Sequence, residues 1–132
     1  MHIVITEWAL QAYLDLKAQQ AFTDQEYWST IRPDVELLRG GPTAPQFSSG
    51  GFWGPATDLS GNAVPDGFKM KWHNVGSGRV QLRLCVGLLL GQAYLCRAFV
   101  KDSDSTDKRE VAKFKSHLKY IRQGQFIERG RL

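Results

Sequence analysis

Residues 68 to 79 read Phe-Lys-Met-Lys-Trp-His-Asn-Val-Gly-Ser-Gly-Arg, and no other run constrains the fold as much. As a strand it places Lys69, Lys71 and His73 on one face and Phe68, Met70 and Trp72 on the other, because strand side chains alternate. One face is cationic and polar; the other suits a hydrophobic core. A Gly-Ser-Gly turn then brings Arg79 to the start of the next strand. A row of cations on the open face of a sheet suits a polyanion such as RNA.

The charge of the whole chain is segregated in the same sense. Residues 1–66 hold 3 Lys and Arg against 8 Asp and Glu, a net of −5, whereas residues 67–132 hold 14 against 5, a net of +9. The halves sum to the formal +4 of the chain. Such asymmetry points to a polyanionic partner for the second half. A length of 132 residues suits one domain over residues 1–132. No apolar run is long enough to span a bilayer, and the N-terminus lacks the basic and apolar regions of a signal peptide. The expectation is a cytoplasmic protein without a membrane partner. Cys85 and Cys96 are then reduced core residues, and two cysteines alone make no zinc site.

Residues 2–5, His-Ile-Val-Ile, are rich in β-branched side chains and predict a first strand; Thr6 caps a helix starting at Glu7. Thr23 and Glu26 have capping-box spacing for a second helix, with Phe22 and Tyr27 as its staple. Pro33 should kink or split that helix, and Gly40-Gly41-Pro42 should end it. Residues 40–67 are rich in Gly, Pro and Ser and predict a long loop insertion. Its Phe47, Phe52 and Trp53 either stack on bases or, as the simpler expectation, fold back over an apolar edge. Strands follow at Phe68–Val75, Arg79–Val86 and Gln92–Lys101, the last with Leu95, Arg97, Phe99 and Lys101 on one face. A final helix carries Val111, Phe114, Leu118 and Ile121 as its apolar stripe, and residues 124–132 show no clear structure. The order predicts an α+β domain: a small antiparallel sheet, two N-terminal helices and a C-terminal helix, the helices packed on one face.

Two motifs give this order a further meaning. One is Lys69-Met70-Lys71 followed across a glycine turn by Arg79. The other is Phe99-Val100-Lys101-x-Ser103-x-x-Thr106-x-Lys108-Arg109-Glu110-Val111. Together they resemble the RelE/HigB superfamily of bacterial and phage toxins, the first its Lys-x-Lys and Gly-x-Arg elements, the second the ungapped signature of the HigB branch. The resemblance spans most of the chain outside residues 40–67 and the tail. Asp102 stands where the HigB branch has a second lysine and Asp107 where it has proline. The last helix begins Arg109-Glu110-Val111-Ala112, without the tyrosine that RelE-type members carry there.

The resemblance implies the toxin of a type II toxin–antitoxin system. Such a toxin cleaves mRNA on the ribosome by attack of the 2′-hydroxyl on the adjacent phosphate, needs no metal or other cofactor, and is neutralised by a cognate antitoxin. The chemistry needs a base, cations for the phosphorane and an acid for the leaving oxygen. Lys71 or His73 is the candidate base, a lysine requiring the pKa depression that Lys69, Arg79 and Lys101 would impose by crowding. Arg79 is the first choice for holding phosphate oxygens, and Lys101 for stabilising charge or protonating the leaving group. Lys69, Arg83, Arg97, Lys108, Arg109 and Lys113 are candidate RNA contacts. Two other readings share the fold: a ParE-like gyrase poison, against which the Lys-x-Lys and Arg79 set argues, and a non-catalytic RNA- or partner-binding module, which the missing tyrosine favours.

Overall fold

The computed structural model describes residues 1–132 and shows an α+β fold. Strand β1 (His2–Thr6) leads into α1 (Glu7–Ala18). A short helix α2 (Asp24–Glu26), a π-helical turn (Tyr27–Ile31), helix α3 (Arg32–Glu36) and a 3₁₀ turn (Leu37–Gly40) follow one another. Then come β2 (Trp53–Thr57), β3 (Ala63–Val75), β4 (Val80–Leu89), β5 (Gln92–Val100), α4 (Asp104–Arg122) and β6 (Glu128–Arg131). The strands form one six-stranded sheet in the order β2-β3-β4-β5-β1-β6. β1 runs parallel to β5, and every other neighbouring pair is antiparallel.

The sheet is thus larger than expected and mixed. Residues 40–67 are not one loop: Pro45–Ser48 form a 3₁₀ turn, β2 adds an edge strand, and β3 begins at Ala63. Phe47 and Trp53 are buried at 8% exposure each, so these aromatics fold back onto the core. The tail also contributes, as β6 on the far side of β1. The N-terminal caps form where their residues place them. Thr6 accepts from the Ala9 amide at 3.2 Å and donates to the Leu95 carbonyl at 2.8 Å, tying α1 to β5. Thr23 and Glu26 close their capping box at 3.0 and 2.8 Å. Pro33 lacks the amide that would bond the Ser29 carbonyl, and the widened π turn directly before it, with the Arg32 amide on the Tyr27 carbonyl, accommodates the break.

The helices lie on both faces of the sheet, not on one. Ala9 and Leu16 of α1, with Ile31, Val35 and Leu38, pack on Met70, Trp72, Leu82, Leu84, Val86 and Leu95. On the opposite face, Val111, Phe114, Leu118 and Ile121 of α4 meet Val4, Cys85, Tyr94, Cys96 and Phe99. Those four α4 side chains are at most 1% exposed, each stabilising by about 1.5–3 kcal/mol on leaving water. α4 approaches so closely that a Cβ on Gly87 would lie 2.5 Å from Leu118 Cδ2.

Candidate nucleic-acid interface

Alternation in β3 and β4 does what the sequence predicts: Lys69, Lys71, His73, Gln81 and Arg83 share the face opposite the Met70, Trp72, Leu82 and Leu84 core. β5 departs from strict alternation. Cys85 pairs with Arg97 while the next residue, Val86, pairs with Leu95, so Cys96 is an extra residue in a bulge. The bulge turns Arg97 away from Leu95 and onto the α4 face, in phase with Phe99. The α4 face therefore carries three cross-strand rows: Lys69–Cys85–Arg97, Lys71–Arg83–Phe99, and His73 and Gln81 beside Lys101.

The first row is closed by α4. Lys69 Nζ donates to both Asp107 carboxylate oxygens at 2.9 Å, each side chain 10% exposed. Arg97 Nε donates to Glu110 Oε2, and Lys113 Nζ lies 3.6 Å from the other Glu110 oxygen. Cys85 between them is buried, which pushes its thiol far up and makes it inert. In the sequence Asp107 and Glu110 read as the opening of the last helix, and Asp107 as a departure from the HigB pattern; the helix begins earlier, at Asp104 with Ser103 as its cap, and both carboxylates face the sheet. A helix set opposite a row of cations needs acids on its facing side, and its apolar stripe alone does not show which strands it will cross.

The second and third rows are not closed by a buried ion pair. Lys71 Nζ donates to the Gly50 carbonyl at 2.9 Å. Burial, then the charges of Lys69, Arg83 and Lys101, hold its ammonium below the ordinary lysine pKa. Arg83 is only 8% exposed, and its Nη1 donates to the Leu82 and Trp72 carbonyls at 3.1 and 3.4 Å, with no ion-paired carboxylate. Such a guanidinium retains donors for an incoming anion. Lys101 Nζ is 3.4 Å from Asp104 Oδ1, but that carboxylate is 88% exposed and the pair is weak. His73 lies between two acceptor oxygens, Nδ1 at 3.0 Å from Gln81 Oε1 and Nε2 at 2.5 Å from the Gly51 carbonyl. The contacts of Gly50 and Gly51 were invisible while residues 40–67 read as a loop.

Arg79 is placed differently from its sequence role. It is exposed in the β3–β4 turn at φ +51°, and the cations acting on Lys71 include Arg83 in its stead. The turn is docked toward the N-terminal helices. Glu26 accepts the Gly76 amide at 2.9 Å, and a Cβ on Gly76 would sit 2.6 Å from the Ala21 carbonyl oxygen. Lys108 and Arg109 are exposed on α4, with Arg109 Nη2 3.5 Å from Thr106 Oγ1. No three His, Cys, Asp or Glu side chains converge as a metal-ligand cluster. No helix is long and apolar enough to cross a membrane. The chain matches no family model and no curated protein.

Proposed function

We propose that the protein is a ribosome-dependent mRNA endoribonuclease of the RelE/HigB type, the toxin of a type II toxin–antitoxin system. The observation that carries this reading is Lys71, a lysine of depressed pKa directly across the strand pair from the buried guanidinium of Arg83, which feels the Asp107 charge but forms no salt bridge. Neutral Lys71 takes the proton of the 2′-hydroxyl as the 2′-oxygen bonds to phosphorus. Arg83 holds the phosphorane oxygens, and Lys101 gives a proton to the departing 5′-oxygen. The products are a 2′,3′-cyclic phosphate and a 5′-hydroxyl. Lys69 and Arg97, neutralised by Asp107 and Glu110, brace the site from behind. Arg79, Lys108 and Arg109 meet the RNA backbone at its rim.

The test is cleavage of a translated mRNA with and without ribosomes, by wild type, Lys71→Ala, Arg83→Gln and Arg79→Ala. Cleavage should need ribosomes and fall about 100-fold or more without Lys71. The wild-type rate should rise with pH as Lys71 deprotonates, and Lys71→Ala should remove that limb. Arg79→Ala should retain most activity. Absence of cleavage by wild type under both conditions overturns the nuclease reading. It would favour a non-catalytic RNA-binding module, to which the ion pairs of Lys69 and Arg97 and the missing helix tyrosine lend support.

A further inference from the structure

The face opposite the cationic rows holds an apolar cavity of about 330 Å³ between α1, the π turn, α3 and the sheet. Tyr13, Leu84 and Leu95 line its body, and Arg32 is the single charged residue of its wall. The volume falls in the range of small-molecule sites, and an apolar wall offers water too few partners to hold it there. The π turn that accommodates Pro33 contributes Tyr27, Trp28 and Ile31 to the lining. Arg32 stacks over Trp28 at 5.0 Å from the ring centroid. Its Nε bonds Glu36 Oε1 at 3.1 Å, but Arg39 Nη1 claims the other Glu36 oxygen at 3.0 Å, so one carboxylate serves two guanidiniums. Asp34 is turned to Trp72 Nε1 at 2.9 Å. Arg32 therefore keeps donors for a second anion at the wall of an apolar chamber.

We propose that this cavity is a binding site for a small apolar molecule carrying a carboxylate, its hydrocarbon body among the aromatics and its carboxylate on Arg32. The site is separate from the nuclease reading and stands or falls without it. The test titrates the full chain with sodium decanoate and with uncharged decanol, following Trp28 and Trp72 fluorescence and titration heat. Decanoate should bind saturably at one site and raise the melting temperature. Arg32→Gln should weaken decanoate about tenfold while leaving decanol unchanged. Ala98→Leu, which adds volume to the wall, should abolish binding of both. Arg32 is partly exposed, so its variant keeps the test valid if Ala98→Leu does not fold. No saturable binding by wild type, or equal loss of decanoate and decanol in Arg32→Gln, overturns the proposal. So does a dimer dispersed by Trp28→Glu without decanoate binding, which would show that a second copy covers the cavity.

Discussion

Single side chains settle what the cationic face can do. Lys69 and Asp107 are a buried pair, and removing one member strands the other charge in a place water hardly reaches. Asp107→Asn should destabilise the fold by about 3–5 kcal/mol in urea unfolding, whereas the double variant Lys69→Met with Asp107→Leu should recover most of that loss. His117 responds to acid. It stacks on Trp8 at 4.0 Å between ring centroids and leaves Nε2 buried without a partner. Burial, with the cations Arg97 and Lys113 opposing Glu110, lowers its pKa from 6.5 to about 4. A depressed folded-state pKa means this stabilisation is complete above pH 6.5 and is lost as pH falls through 4. His117→Phe keeps a ring on Trp8 but has no proton to gain. The stability difference between wild type and variant should therefore shift in favour of the variant as pH falls across that window, read as urea midpoints.

Elements show how much of this could be read from residue order. Alternation in β3 and β4 was plain because one face of the pair is apolar and the other carries the cations and polar groups, and the Thr6 and Thr23–Glu26 caps were plain because their spacing is local. The β2 run Trp-Gly-Pro-Ala-Thr and the β6 run Glu-Arg-Gly-Arg carry no apolar alternation, since they are held by a neighbour's backbone. The parallel pairing of β1 with β5 joins residues about ninety apart, beyond any local signal. The Cys96 bulge changes the facing of Arg97 without leaving a mark in composition. Among the candidate site residues, Lys71, Arg83 and Lys101 lie on the α4 face of the sheet, and Arg79 stands exposed in the β3–β4 turn, a placement hidden in the sequence because a turn glycine does not reveal which layer its turn docks on. α4 is placed by a missing side chain. Gly87→Ala forces a methyl against Leu118 and should cost about 1–3 kcal/mol, with the apparent melting temperature as the readout.

At the scale of the whole molecule, the two sheet faces carry different chemistry: fixed charge under α4 and an apolar chamber under the N-terminal helices. Under the proposed function, RNA and an acidic antitoxin segment compete for the first face. RNA binding should weaken with salt, and Lys101→Ala should reduce the slope of log affinity against log salt by about 0.7, one phosphate contact on a single strand. A slope equal to that of wild type would remove Lys101 from the interface.

β2 has a further bearing on the molecule in solution. It forms one boundary of the sheet, where an unpaired backbone invites a strand from another molecule. The Lys71 amide bonds the Phe52 carbonyl, and the pairing then alternates through Trp53–Met70 and Gly54–Lys69 to Pro55–Phe68. That alternation turns position 55 outward, and proline has no amide hydrogen to offer there. The boundary is thus deprived of a donor where a foreign strand would first grip it. The same ring that makes residues 40–67 look like a loop works against cross-β growth along that side, and Pro55→Thr, which restores the donor, should raise the tendency of concentrated solutions to form thioflavin-binding ribbons.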